Sequence, residues 1–513
     1  MTDSSIPRES AAGYDELPPG DRVRRGLMHE IRPPDWRNPK PKDRYDLVVI
    51  GAGPAGLTAA RGAATRGAKV ALVERALIGG DSLNVGSIPS KALIRTARIY
   101  ADMRGTQSFG SRMPDTIAID FPAAMDRMRR VRARLGRAVS ARRISEAGID
   151  VYFGEARFAG SDTITVADDV LCFKKALIAT GARALIAAIP GLEETGYLTN
   201  ETVFDLSECP RRLLVMGGGP LGCELAQAYC RFGSYVVIAQ DDPMFLPREE
   251  RDAAQVLSEA LARDGVEVHL NTTVVAVRME GTRKVVDMIC AGDRFSVSVD
   301  EILVAIGRAP NVESLNLKAA GILYDTEAGI QIDDFLRTSN PRIYAAGDVC
   351  LEHKFTHAAE ASARIAMTNS LFKGRGRLSA MTIPWCTYTD PEIAHVGLYV
   401  REAWEKSIPV ETFTVLMHDV DRAVTDGEEE GFVKIHVKQG TDRILGATVV
   451  ARHAGEMIGG LSLAISAGIG LHALARVIHA YPTQAEAIKM AADSYCRARL
   501  TTRRGTLAMR TLP

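Results

Sequence analysis

Two six-residue runs carry the clearest chemistry in the sequence: Gly51-Ala52-Gly53-Pro54-Ala55-Gly56 and Gly217-Gly218-Gly219-Pro220-Leu221-Gly222. In each, the first glycine permits a tight turn, the second lets a pyrophosphate approach the backbone at a helix N-terminus, and the third lets helix and strand pack closely. An acid, Glu74, stands 23 residues after Gly51, where it can accept hydrogen bonds from a ribose. The matching position after Gly217 is Gln240. A neutral Gln neither bonds both ribose hydroxyls of NAD as a carboxylate does nor repels the 2′-phosphate of NADP. Asp241 and Asp242 follow at once and would repel that phosphate, with Arg248 nearby to offset them, so the second site leans to NADH over NADPH.

These turns need strands and helices to aim them, and the flanking residues supply both. From Tyr45 a short apolar run (Leu47-Val48-Val49-Ile50) leads into the first turn, an Ala-rich helix and a second strand, Lys69 to Glu74, forming one βαβ unit. A second copy runs through Arg212 to Met216, the turn at Gly217, a helix from Leu221 to Phe232 and a strand from Tyr235 to Ala239. Beyond about residue 378 the glycine turns vanish and alternating strands precede long helices, which predicts an α+β domain. Ahead of Arg44, residues 1–43 are polar and rich in Pro and Arg, and are expected to form a flexible arm that Trp36 could anchor.

Composition narrows the partners. A chain of 513 residues is too long for one core, and the usual domain size implies roughly three to four domains. Sixty-three basic against 63 acidic residues leave no global field for nucleic acid or an anionic membrane. The eight cysteines are scattered without a CxxC pair or zinc-ligand spacing, so no metal centre is expected, and they read as reduced thiols of a cytoplasmic protein. No apolar h-region marks an export signal near the N-terminus, and the most apolar stretch, Met457 to Leu471, is too short and glycine-interrupted to span a bilayer.

The two fingerprints occur with Ala179-Thr180-Gly181, with Gly307-Arg308-Ala309-Pro310-Asn311 and with Tyr344-Ala345-Ala346-Gly347-Asp348. In that order they resemble the pyridine nucleotide-disulfide oxidoreductases, on the side of the mercuric reductases and dihydrolipoamide dehydrogenases, from about Tyr45 to Leu500. The resemblance implies an α/β architecture of two Rossmann-like domains, one for FAD and one for NAD(P), with a C-terminal α+β dimerisation domain that makes a homodimer. It implies an arm over 1–43, an FAD domain split into 44–198 and 309–377, an NAD(P) domain over 199–308 and an interface domain over 378–513. Gly51, Gly53, Gly56, Glu74, Thr180, Gly181 and Asp348 would then hold FAD. Gly217, Gly219, Gly222, Gln240 and Gly307 would hold the nicotinamide nucleotide.

The resemblance breaks where the family keeps its redox disulfide, in a segment reading GGxCLNVGCxPSK. This chain reads Gly79-Gly80-Asp81-Ser82-Leu83-Asn84-Val85-Gly86-Ser87-Ile88-Pro89-Ser90-Lys91, with serine at both cysteine positions. A hydroxyl forms no disulfide and takes no electrons from reduced flavin. The family's C-terminal HxHPTxxE, whose second His acts as acid/base, is here His479-Ala480-Tyr481-Pro482-Thr483-Gln484-Ala485-Glu486. Tyrosine, with an ordinary pKa of ~10 against ~6.5 for His, is a poor base at neutral pH but can donate a hydrogen bond. The C-terminal cysteine pair of mercuric reductases is also missing. Lys91, by the family's pattern beside the flavin and paired with Glu224, remains, so the first half-reaction is expected to survive.

Three functions follow from this reading. The first is an FAD-dependent NAD(P)H oxidoreductase giving electrons directly to a small-molecule acceptor such as a quinone, a dye, dioxygen or a metal species. The second is a serine-substituted form of a disulfide reductase of this family, the serines being natural or engineered. The third is a flavin-binding scaffold without turnover.

Overall fold

The computed structural model describes residues 19–112 and 117–510. The chain divides into two compact units, one built from residues 1–188, 197–209 and 304–380, the other from 189–196, 210–303 and 381–513.

In the first unit, β1 (Tyr45–Ile50), α2 (Pro54–Ala64) and β2 (Val70–Glu74) follow α1 (Pro19–Ile31) and form the predicted βαβ unit. Two helices, α3 (Gly80–Asn84) and α4 (Ser87–Gly105), carry the serine segment, and α5 (Phe121–Gly136) packs beside α4. The sheet continues through β3 (Ile149–Phe153), β4 (Ala156–Gly160), β5 (Thr163–Val166) and β6 (Asp169–Ile178) in the order β3-β2-β1-β6-β5-β4. Strands β3, β2, β1 and β6 run parallel, and Ile343–Ala345 joins β6 in parallel. Burial on both faces explains why β1 and β2 read as apolar runs without alternation, since all five residues of β2 are buried.

The segment expected to be a flexible arm is ordered over its described part. Leu27 and Ile31 bury one side of α1 against α5. Beyond it, the Trp36 indole N–H donates to the Val151 carbonyl (3.2 Å), and Asn38 exchanges two hydrogen bonds with the Phe153 backbone (3.0 and 2.8 Å). β3 is the edge of the parallel sheet, and this strap covers the row of polar groups an edge leaves open. Residues 1–18 of the expected arm lie outside the described residues.

In the second unit, strands Arg212–Met216, Tyr235–Ala239 and Glu267–His269 run parallel around the helix Pro220–Arg231, in a four-stranded sheet completed by Glu301–Val304. The C-terminal part is a five-stranded antiparallel sheet in the order Pro384–Thr387, Glu392–Gly397, Ile444–Ala451, Phe432–Lys438, Val410–Leu416. The helix Ala454–Ala467 and the helix Glu486–Arg510 close its core through Met457, Leu461, Ile488 and Ala491.

Candidate functional site

The first glycine turn is shaped by sterics. Gly51 has φ +102°, and a Cβ on it would stand 2.3 Å from the Ala179 carbonyl oxygen. A Cβ on Gly56 would stand 1.8 Å from the Gly51 carbonyl oxygen, so only glycine lets α2 sit this close to β1. Gly53 precedes Pro54 at the N-terminus of α2, and a Cβ on the facing Gly80 would meet Gly53 Cα at 2.7 Å. The result is a bare backbone cradle at a helix N-terminus, suited to a pyrophosphate.

Glu74 closes one side of that cradle. It is 8% exposed, and its two carboxylate oxygens accept the Ala52 N–H (2.8 Å) and the Ala76 N–H (2.7 Å). Burial pushes its pKa up, opposed by those two backbone donors and then by the charges of Arg75 and Arg32. Each oxygen keeps a lone pair for a ribose hydroxyl.

On the other side, Thr180 and Asn311 lock two loops together. Thr180 Oγ1 donates to the Asn311 carbonyl (2.8 Å), and Asn311 Nδ2 donates back to the Thr180 carbonyl (2.9 Å). Gly181 has φ +69° and accepts the Asn311 N–H (3.0 Å). Arg308 donates to the Ala182 carbonyl (2.7 Å), pairs with Asp81 and reaches 3.8 Å from Asp348, while its Nε is buried without a hydrogen-bond partner. Burial raises the pKa of Asp348, the Arg308 charge working against it. A partly buried carboxylate and an orphaned buried donor 3.8 Å from it are what a polar cofactor chain would satisfy, so these residues fit FAD. Sequence reasoning quoted Arg308 in its motif without giving it this contact.

Ser82 lies in α3 and Ser87 opens α4. Thr356 Oγ1 donates to Ser82 Oγ (3.2 Å), and both line a cavity of about 280 Å³ with Leu57, Leu83, Ile88 and Leu135. Lys91 sits one turn further along α4. Gly307, expected with the nicotinamide set, belongs to the first unit. It has φ +142°, and its carbonyl accepts the Leu185 N–H (3.0 Å).

The second unit repeats the turn. Gly217 has φ +101°, and a Cβ on Gly222 would stand 2.1 Å from the Gly217 carbonyl oxygen. Gly219 is the residue before the helix Pro220–Arg231. Gln240 Oε1 accepts the Gly218 N–H (2.6 Å), the same bond that Glu74 makes to Ala52, and its amide N–H₂ donates to Asp241 (3.3 Å). Where Glu74 offers an acceptor, Gln240 therefore offers a donor held against a carboxylate. Glu224 is buried on the same helix and accepts the Tyr388 N–H (2.9 Å).

At the C-terminal motif, Tyr481 is 69% exposed, and its hydroxyl donates to Asp421 (2.7 Å) rather than to Glu486, which begins the last helix. That bond raises the tyrosine pKa, with Glu486 adding a smaller through-space effect. Asp421 lies 60 residues from Tyr481, and nothing in the local sequence pairs them. Asp421→Asn should lower the Tyr481 pKa back toward the ordinary phenol range, as read by ultraviolet titration. An unmoved titration would remove Asp421 as the cause.

Among the described residues no group of three or more His, Cys, Asp or Glu is placed to hold a metal ion, and no helix is long and apolar enough to cross a membrane. All eight cysteines are free thiols.

A family model described as pyridine nucleotide-disulphide oxidoreductase matches residues 45–364, and the dimerisation domain of the same description matches 383–492. The mercuric reductase of Staphylococcus aureus is 33% identical over 451 residues, covering 88% of this chain and 82% of that protein. The dihydrolipoyl dehydrogenase of Thermus scotoductus is 34% identical over 460 residues, covering 88% and 97%. Among solved structures, LpdA from Mycobacterium tuberculosis superposes with a TM-score of 0.81 at 28% identity, over 88% of this chain and 99% of that one. A Cu(II) complex of the HOCl-induced flavoprotein disulfide reductase RclA from Escherichia coli gives 0.78 at 29% identity, over 86% and 98%.

Proposed function

The chain belongs to the pyridine nucleotide-disulphide oxidoreductases, flavoproteins that use FAD and NAD(P)H, and from that premise we propose that it passes electrons from reduced flavin directly to a small non-disulfide acceptor. The observation that carries this reading is serine at positions 82 and 87, in a frame of Gly79, Gly80, Asn84 and Gly86 otherwise matching the family's redox segment. FAD, when bound, supplies hydride acceptance from the nicotinamide and onward electron transfer. The chain's own residues hold and orient it: the Gly51–Gly56 cradle takes the pyrophosphate, Glu74 a ribose and Asp348 the ribityl chain. Lys91 would bring positive charge to the ring, an electrostatic role.

The cavity beside Ser82 supports a neutral acceptor of the quinone class. Its walls are largely apolar, the two charged residues on them, Arg61 and Glu360, are of opposite sign, and the hydroxyls of Ser82 and Thr356 offer hydrogen bonds that need no ionisation. The matched dimerisation domain makes a homodimer the expected assembly. Gln240 and Asp241 favour NADH, since a 2′-phosphate would meet the Asp241 charge. Free thiols throughout fit a reducing, cytoplasmic setting.

Steady NADH oxidation with a quinone by the holoprotein, absent from the apoprotein, is the expected result. A bound flavin that neither NADH nor NADPH can bleach overturns the reading. A second reading, the serine form of a mercuric reductase-like disulfide reductase, is favoured by how closely the frame around the serines keeps the family pattern. The Ser82→Cys/Ser87→Cys protein decides between them. Gain of disulfide reduction, with no quinone turnover in the serine protein, favours the second; quinone turnover that the cysteine pair does not improve favours the first.

A further inference from the structure

Residues 19–43 precede the region matched by the family model, which begins at residue 45, and they run along the parallel sheet to the turn that follows Glu74. Arg32 is the point of contact. Its Nη1 donates to the carbonyls of Arg75 (2.6 Å) and Ala76 (2.7 Å), and the Ile31 carbonyl accepts the Ile78 N–H (3.3 Å). The Arg32 guanidinium also lies over the Phe153 ring (5.4 Å to the centroid), and Trp36 meets the same ring edge-on (5.9 Å). Phe153 is the strand partner of Glu74 in the register of β2 and β3. Arg32 is thus fixed on two sides and bridges two consecutive carbonyls of one tight turn.

That turn is where the ribose carboxylate gets its orientation. The Ala76 whose carbonyl Arg32 holds gives its N–H to Glu74 Oε1, so displacement of the Ala76 peptide takes away one of the two donors that aim the carboxylate. We propose that Arg32 is a positioning residue for FAD, through which the N-terminal strap braces the Glu74 turn and slows cofactor release. The role is independent of the final electron acceptor and needs only that Glu74 bind the FAD ribose.

Two consequences separate this from a general stabilising role. Charge-assisted hydrogen bonds to a turn contribute enough that their loss speeds a dependent release by about tenfold. The second consequence is in the pH profile. Both Glu74 oxygens accept backbone N–H groups, so a proton on either faces a donor and loosens the turn. Burial already raises the Glu74 pKa, and the Arg32 charge is among the groups lowering it, so removing that charge raises it further. FAD affinity is full above the Glu74 pKa and falls as pH drops through it. Loss of Arg32 therefore moves acid-induced FAD release to higher pH. The other charged group acting on Glu74 is Arg75, which every one of these variants leaves in place.

The test uses the holoprotein, following free-FAD fluorescence after dilution and during acid titration, in Arg32→Ala, Arg32→Lys, Arg32→Gln and Asp35→Ala. Arg32→Ala should release FAD about tenfold faster with its acid midpoint moved up. Arg32→Lys should keep the midpoint, and Arg32→Gln should move it, which carries the test if the alanine variant fails to fold. Asp35→Ala breaks only an exposed ion pair of the same strap (3.0 Å to Arg142) and should match the parent. Parental release in Arg32→Ala, an unmoved midpoint in Arg32→Gln, or equal acceleration by Asp35→Ala would overturn the proposal.

Discussion

Gly56→Ala is expected to yield protein without flavin. The added Cβ would stand 1.8 Å from the Gly51 carbonyl oxygen and 2.9 Å from its carbon, while carbon contacts settle at about 3.5 Å or beyond. Both clashing atoms are backbone, so no rotamer relieves them. Either α2 moves away from β1 by more than an ångström or the Gly51 peptide turns. Movement of α2 carries off the N-terminal N–H groups proposed to receive the pyrophosphate; rotation of the peptide disturbs Ala52, whose N–H is one of the two donors to Glu74. Overpacking of side chains alone costs about 1–3 kcal/mol, and a backbone clash sits at or above that range. Since about 1.4 kcal/mol is tenfold in affinity, FAD binding should weaken by about a hundredfold or more, with a lowered Tm. The flavin-to-protein absorbance ratio reads this directly. Gly105→Ala, where nothing lies within 4 Å of the new Cβ, should stay yellow and supplies the control. A yellow Gly56→Ala protein would mean that the turn is not the cofactor's cradle.

The same locality explains what could be read from the sequence. The two cradles were legible because the constraint is contained in six residues: a carbonyl at the first glycine and a missing Cβ at the last. Glu74 and Gln240 were legible by their fixed distance from the turn. Two features were not. The strap over residues 19–43 looked like an arm because its composition is polar and proline-rich, and what orders it is a handful of single contacts across 43 to 115 positions, from Arg32, Trp36 and Asn38. Asp421 was missed for the same reason, its bond to Tyr481 crossing 60 positions. Local sterics write themselves into a sequence as patterns; long-range polar contacts between single residues do not.

Gly222→Ala applies the first argument to the other half of the chain and predicts a different phenotype. Its Cβ would meet the Gly217 carbonyl oxygen at 2.1 Å and Val215 at 3.3 Å, again backbone first. The helix Pro220–Arg231 cannot simply slide away, because Arg231 on it is tied to Asp264 and Asp390 at 2.9 Å each, with side chains mostly buried. Strain therefore falls on the turn, where the Gly218 N–H is held by Gln240, and the nucleotide site deforms. The proposed FAD cradle at Gly51–Gly56 lies in the other compact unit and shares none of these atoms. The protein should remain yellow, while reduction of its flavin by NADH weakens about a hundredfold and reduction by dithionite is unchanged. Anaerobic titration with each reductant distinguishes the two. If Gly222→Ala lost flavin as Gly56→Ala does, the two turns would not be separate sites. If NADH still bleached it at parental concentrations, the second turn would not be where the nicotinamide nucleotide binds.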